Sequence, residues 1–189
     1  MAKSTIPGGI TPEHFLDIRN YLSDILEKTH AMAVNMRLNE TGTIHPAPVF
    51  VGWVESQDLA KKRASANRPD PGLFRFADTI RSKEYTETVL ARGAIRERDW
   101  RVQISQKSSD QKKDLPATGV MYQKLIGIMV NQRGVRRCVG ALNLGFSRKP
   151  DGKVLQNAEK VMKLYANNPR SELITFLRNN FELGAILTR

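Results

Sequence analysis

Residues 119–146 contain two apolar runs separated by a polar turn, and this pattern constrains the fold more than any other part of the sequence. The turn, residues 131–134, reads Asn-Gln-Arg-Gly, and its glycine allows the positive φ that tight hairpin turns often require. Both runs are rich in Val, Ile and Leu, as strands are. The segment therefore predicts a β-hairpin.

The second apolar run has two unlike faces, because successive side chains of a strand point to opposite sides. The bulky apolar face is expected to hold Cys138, Gly140, Leu142, Leu144 and Phe146, and the small face Val139, Ala141, Asn143 and Gly145. A small face lets another group approach the backbone closely.

Length and composition indicate one soluble domain. The chain has 189 residues, of which 40% are hydrophobic and 26% charged, as is ordinary for a globular protein. No apolar run approaches the roughly 18 to 20 residues of a membrane span, and the N-terminus lacks the apolar block of a signal peptide. With Cys138 as the single cysteine, no internal disulfide can form. We therefore expect a cytoplasmic protein without membrane association.

The charge is concentrated toward the C-terminus. The net charge is +11, and residues 116–189 hold 12 basic and four acidic side chains. Such a basic half is typical of proteins that bind phosphate-bearing partners, nucleic acid among them. Basic side chains spread over solvated surfaces, which keep a protein soluble, explain it equally well.

A long amphipathic helix is expected after Thr11-Pro12-Glu13, which supplies an N-cap, a proline for the first turn and an acidic residue. Apolar or small positions three and four residues apart predict that it continues to residues 37–39. The stripe covers either the protein's own sheet or a dimer interface. Its members are Phe15, Ile18, Leu22, Ile25, Thr29, Met32 and Met36.

The other elements complete an α+β pattern, a central antiparallel sheet with helices packed on one face. Strands are expected at 49–54 and 100–104, helices at 55–63, 78–92, after 149–152 and from Asn168, and a mobile loop at 105–114. We expect residues 1–10 to be flexible, 11–167 to form a single domain, and 168–189 to add a C-terminal helix that packs on the domain or at a dimer interface.

The segment 125–134, Leu-Ile-Gly-Ile-Met-Val-Asn-Gln-Arg-Gly, followed by 138–145, Cys-Val-Gly-Ala-Leu-Asn-Leu-Gly, resembles the late strand pair of GAF domains. Residues 85–93 followed by 100–104 look like the helix and strand that precede this pair. The resemblance covers roughly residues 11–166. It implies a GAF-like sheet with a ligand pocket on one face and terminal helices bundled on the other, often at a dimer interface.

The resemblance does not bring an activity with it. A bilin-binding GAF domain would offer a pocket cysteine, whereas Cys138 is expected on the bulky apolar face as a small buried hydrophobe. A sulfoxide reductase of this fold needs several cysteines, and the cyclic-nucleotide signature is not recognisable. No catalytic motif is present, and His14, His30 and His45 lack metal-ligand spacing. We expect no enzymatic activity, metal or cofactor.

Two sets of candidate binding residues remain. The pocket candidates are bulky or polar groups on expected strands and adjoining loops: Trp53, Phe74, Phe76, Trp100, Met121, Leu125 and Asn143. The candidates for anion or nucleic-acid contact are Arg96, Arg98, Arg101, Arg133, Arg136 and Arg137. For the cluster around Trp100, a solvated loop is the favoured interpretation.

The sequence thus favours a sensory or regulatory GAF-like module that binds a small molecule or a protein partner and dimerises through its terminal helices. Without an output domain of its own, such a module is expected to signal through a partner. The alternative is a basic nucleic-acid-binding accessory protein, whose binding would weaken steeply with salt.

Overall fold

The computed structural model describes residues 4–5, 11–39, 48–65, 92–99 and 119–184. In chain order the elements are β1 (Ser4–Thr5), α1 (Pro12–Thr29), β2 (Ala33–Asn39), β3 (Pro48–Glu55), α2 (Gln57–Ser65), β4 (Ile95–Asp99), β5 (Tyr122–Gln132), β6 (Val135–Phe146), α3 (Gly152–Ala166), α4 (Glu172–Asn180) and β7 (Phe181–Glu182).

A five-stranded sheet forms the centre of the fold, with the strand order β3-β2-β6-β5-β4. Every neighbouring pair in it is antiparallel. β1 and β7 form a separate two-residue parallel pair, which joins Ser4–Thr5 to Phe181–Glu182. The predicted central antiparallel sheet is confirmed.

The predicted hairpin is confirmed as β5 and β6, which pair from Tyr122 with Phe146 to Gln132 with Val135. Only Arg133 and Gly134 connect the strands, with φ angles of 50° and 79°. Two consecutive positive φ angles are the mark of a type I′ turn, whose twist matches that of the flanking strands.

Helices α1, α3 and α4 cover one face of the sheet, as predicted. Ile18, Leu22 and Ile25 of α1 are fully buried in the main core, together with apolar residues of β2, β5 and β6. α3 and α4 complete this core with Ala158, Val161, Met162, Ala166, Leu173, Ile174 and Leu177. On the opposite face, α2 packs Leu59 against Ala33 and Val120 at one end of the sheet.

The predicted first helix is longer than the observed one. α1 ends at Thr29, where His30 takes a left-handed conformation with φ of 54° and the Thr29 hydroxyl donates to the Ile25 carbonyl at 2.7 Å. Residues 33–39 form β2 instead. Met36 satisfies the helical spacing from Thr29 and also the alternation of a strand, in which it pairs with Leu142. The part of the stripe that lies on α1 is buried against the protein's own sheet from Ile18 onward.

A β-bulge overturns the predicted faces of β6 near its start. Ile128 pairs with Gly140 and Met129 pairs with Cys138, so Val139 has no opposite residue. The extra residue puts Val139 into the main core, whereas Cys138 packs with Leu125, Met129 and Ala141 on the other face. Cys138 was therefore placed on the wrong face.

Two further local expectations change, and three others lie outside the described residues. β4 is a strand where a solvated loop was the favoured interpretation of the charged segment. α4 begins at Glu172 rather than Asn168, because the Ser171 hydroxyl caps it by accepting from the Ile174 N–H at 3.0 Å. The helix predicted at 78–92, the strand at 100–104 and the loop at 105–114 lie outside the described residues, apart from Arg92 at the helix end, which is in a turn.

Candidate functional site

The sheet face opposite α1, α3 and α4 carries four buried polar side chains: Asn35, Arg37, Gln123 and Asn143. None of them is more than 5% exposed. We call this surface the polar face. Strand alternation produces it, because Val34, Met36, Tyr122 and Leu144, their chain neighbours, point into the main core instead.

Two of these amides belong to a row that crosses all five strands. Successive residues of the row are cross-strand partners and therefore lie on the same face. From β3 to β4 the row reads Trp53, Asn35, Asn143, Leu125 and Arg96.

The neighbouring row on the hairpin side holds Arg37, Ala141 and Gly127 as cross-strand partners. Because Ala141 and Gly127 have little or no side chain, another group can approach the sheet backbone closely beside the Asn143 amide.

Three amide oxygens of the polar face are buried without a hydrogen-bond partner among the described residues. They are Oδ1 of Asn35, Oε1 of Gln123 and Oδ1 of Asn143. Leaving a buried polar group unsatisfied costs about 1–3 kcal/mol, and native proteins rarely do so. Three acceptors on one surface therefore suit a ligand that offers N–H or O–H donors.

Cys138 lies on the same side of the sheet but is not a reactive thiol. Its Sγ donates to the Gly140 carbonyl at 3.2 Å, and its side chain is buried with Leu125, Met129 and Ala141. Burial raises the pKa of the thiol to about 11, so it stays protonated near neutral pH. The nucleophilic thiolate is correspondingly scarce.

A buried lysine lies on the helix-covered face. Lys124 is fully buried, its Nζ is 2.6 Å from Oε1 of Glu97 on β4, and it also pairs with Glu159 on α3. The Lys124 ammonium is the main cause that lowers the pKa of Glu97 to about 2, and Lys149 stands 3.6 Å from the same carboxylate. The ion pairs tie the edge strand β4 to β5 and to α3.

The predicted pocket residues divide by location. Trp53, Leu125 and Asn143 all fall in the row across the polar face. Met121 is half-buried just before β5, and its backbone N–H donates to the Phe146 carbonyl at 2.9 Å. Phe74, Phe76 and Trp100 lie outside the described residues.

The predicted anion contacts do not form one cluster. Arg96 lies in the row on the polar face, whereas Arg133, Arg136 and Arg137 are exposed at the hairpin tip. Seven residue-to-residue steps along β5, from Leu125 to Gln132, separate these sites by about 23 Å. Arg136 donates to the Asn167 carbonyl at 3.1 Å. The Arg98 side chain and all of Arg101 lie outside the described part of the chain.

Sequence reasoning missed Asn35, Arg37, Gln123 and Lys124. The first two were hidden by the overextended helix, although the alternation of Val34, Met36 and Leu38 with polar neighbours carried the signal. For Gln123 and Lys124 the only signal was two adjacent polar residues in an otherwise apolar run of the predicted hairpin.

The described ranges contain no group of three or more His, Cys, Asp or Glu side chains that could hold a metal ion. Among the helices with described placement, none combines the length and apolar character needed to cross a membrane.

The fold is that of a GAF domain. Three solved structures show the likeness, each with a TM-score of 0.50. GAF3 from Slr1393 of Synechocystis sp. PCC6803, in its photoproduct state, is 9% identical, and the match covers 78% of this chain and 88% of that one. The green-light-absorbing state of the red/green cyanobacteriochrome NpR6012g4 is also 9% identical, with 78% and 90% covered. A far-red cyanobacteriochrome photoreceptor is 14% identical, with 88% and 86% covered.

At these identities the likeness shows the fold alone. No family model and no curated protein matches the sequence.

Proposed function

We propose that this chain is a cytoplasmic sensory or regulatory module that binds a small molecule on the polar face of its sheet. The observation that carries the proposal is the set of three buried amide oxygens, on Asn35, Gln123 and Asn143, that have no partner among the described residues. A ligand that donates hydrogen bonds to them would remove an unfavourable term from the free energy of the folded protein.

The surroundings of the amides indicate the character of the ligand. Leu125, Met129 and Ala141 form an apolar cluster beside them. A mostly apolar surface with a few fixed polar groups is typical of small-molecule sites. We therefore infer a ligand with an apolar body and at least two N–H or O–H donors.

The solved structures of the same fold support a sensory role, since they include light-absorbing states and a protein described as a photoreceptor. Covalent attachment through Cys138 is disfavoured, because burial holds the pKa of its thiol at about 11. The proposed ligand is held by hydrogen bonds and apolar contact.

Side-chain amide NMR tests the donor requirement. Pyrazole, which has an N–H donor, and 1-methylpyrazole, which has none, would be titrated into the labelled protein. We expect pyrazole to shift the NH2 signals of Asn35, Gln123 and Asn143 in a saturable way, and 1-methylpyrazole to shift them much less.

The same spectrum supplies internal controls. The NH2 group of Asn157 donates to the Lys28 carbonyl at 2.8 Å, and that of Asn180 donates to the Phe176 carbonyl at 2.9 Å, both away from the polar face. Equal shifts at Asn157 and Asn180, or no saturable shift anywhere, would contradict the proposal.

Dimerisation through the helices is part of the same proposal. Phe15 and Leu16 on α1 and Leu164 on α3 are 43%, 58% and 50% exposed. Exposed apolar side chains on neighbouring helices support an interface between two copies, which would pass a ligand signal to an output partner. Light scattering of the wild type and of Leu16→Glu tests it: a dimer that becomes a monomer is expected, and a wild-type monomer at all concentrations would refute it.

The nucleic-acid alternative stays a prediction. In the described part of the chain its basic residues lie at two separate places, Arg96 beside Leu125 and the other three arginines at the hairpin tip, so a bound strand would have to span both. Absence of retention on a nucleic-acid column at low salt would exclude it.

A further inference from the structure

A cleft opens at the hairpin tip, between the β5–β6 turn and the C-terminal end of α4. It has a volume of about 630 Å³. Its charged lining residues are Arg133, Arg137, Arg178 and Glu182, and Val135 and Phe181 are among its apolar ones. Small-molecule sites generally have volumes of about 300–1,000 Å³, so this cleft has the size of one.

The positive charge of the cleft is not neutralised by the described residues. Three guanidinium groups and one carboxylate give the lining a net charge of +2. None of the three arginines forms an ion pair or side-chain hydrogen bond with another residue that the structure describes. When several arginines line one cleft, a bound anion offsets the repulsion between their positive charges.

The cleft has a rigid floor. Phe181 is 1% exposed, and its ring makes edge contacts with His14 and Phe176 at centroid distances of 4.9 and 5.9 Å. The Gln132 side chain donates to the Leu183 carbonyl at 3.0 Å, which fixes the segment after α4 to the hairpin. The arginines are therefore carried by elements that hold their spacing without a ligand.

We propose that this cleft binds an organic phosphate, a phosphate monoester whose dianionic group contacts Arg133, Arg137 and Arg178 while its body lies along Val135. A phosphate monoester carries about −1.5 to −2 charges at neutral pH, which matches the lining. Each guanidinium group can bind two phosphate oxygens at once. The repulsion between the phosphate and the single Glu182 carboxylate is weaker than this attraction. The site is separate from the polar face and does not depend on the function proposed there.

Calorimetric titration of the full chain with phenyl phosphate, inorganic phosphate and phenol tests this assignment. Phenyl phosphate is expected to bind saturably, inorganic phosphate about tenfold or more weakly because it lacks the body, and phenol not at all. Equal affinity for inorganic and phenyl phosphate would mean a simple anion site, and no saturable binding of phenyl phosphate would mean no site. Either result overturns the proposal.

Two charge-matched variants complete the test. Arg137→Gln combined with Arg178→Gln removes two cleft cations, and Arg148→Gln combined with Arg170→Gln removes two exposed cations elsewhere. We expect affinity for phenyl phosphate to fall by about tenfold or more in the first variant and by no more than about twofold in the second. Equal losses would overturn the proposal, as would displacement of phenyl phosphate by a short single-stranded oligonucleotide that binds far more tightly and salt-dependently.

Discussion

Asn35 and Asn143 are directly opposite each other on the adjacent strands β2 and β6, and the Oδ1 atoms of both are buried without a partner among the described residues. Cross-strand partners have Cβ atoms about 4.5–5.5 Å apart. Two donors on one small ligand can therefore reach both amides at once. This pair is the centre of the proposed binding face.

Asn143→Leu is expected to stabilise the free protein and to abolish ligand binding. Leucine has a similar size but no unsatisfied oxygen, so we expect the free energy of unfolding to rise by about 1 kcal/mol. Urea unfolding measures it, with Asn179→Leu on the exposed surface of α4 as the reference. A loss of about 2 kcal/mol or more relative to that reference would show that the Asn143 amide is satisfied in the free protein.

The buried ion pairs predict an asymmetry between their partners. Replacing both Glu97 and Glu159 with glutamine leaves the fully buried Lys124 ammonium without a counter-charge, which should lower the free energy of unfolding by about 3 kcal/mol. Lys124→Met should change it by no more than about 1 kcal/mol, since both carboxylates are partly exposed and can be hydrated. If Lys124→Met lowers the free energy of unfolding more than the double glutamine variant does, the expected asymmetry is contradicted.

Acid should weaken the fold through Glu97. The folded-state pKa of this carboxyl is lowered from 4.5 to about 2, so its contribution is complete above pH 4.5 and is lost as the pH falls from 4.5 toward 2. In Lys124→Met the main cause of this shift is removed, and the loss of stability in that pH range should become shallower. Lys153→Met on α3, where the lysine is exposed, is the control and should keep the wild-type slope.

Two glycines on different elements should respond oppositely to alanine. A Cβ at Gly140 would lie 2.1 Å from the Arg37 carbonyl oxygen, whereas a Cβ at Gly152 would have no atom within 4 Å. We expect Gly140→Ala to cost about 3 kcal/mol or more and Gly152→Ala, at the start of α3, to be neutral or stabilising by up to about 1 kcal/mol. Thermal unfolding of both variants checks this, and a harmless Gly140→Ala would contradict the close pairing of β6 with β2 at Leu38 and Gly140.

Cys138 should resist alkylation in the folded protein. With a thiol pKa of about 11, iodoacetamide at pH 8 should react about 100-fold or more slowly than with a solvent-exposed thiol. Cys138→Ser combined with Ser147→Cys provides that reference, since Ser147 is exposed just after β6. Comparable rates for the two folded proteins would contradict the buried position of Cys138, and urea should make the rates equal.

The sheet and the hairpin followed from the sequence because alternation and turn chemistry are local. The end of α1 did not, because Met36 fits a helical stripe and a strand equally well. What decides between them is pairing with Leu142, more than 100 residues later in the chain. The bulge at Val139 likewise depends on how two strands align, which no single strand reveals.

The candidate site was only partly accessible to sequence reasoning for the same reason. Asn143, Leu125 and Trp53 were found because each lies in or beside an apolar run. Asn35 became a site residue only when β2 replaced the end of the predicted helix. Lys124 owes its burial to Glu97 and Glu159, which are distant in sequence and are brought to it by β4 and α3.

Native mass spectrometry of the protein as purified from cells tests the central claim most directly, with the Asn35→Leu, Asn143→Leu double variant measured beside the wild type. We expect the wild type to carry a noncovalent adduct of a size typical of small-molecule ligands, on the order of a few hundred daltons, and the variant to be free of it. An adduct retained equally by the variant, or absent from both proteins, would contradict a ligand site on the polar face.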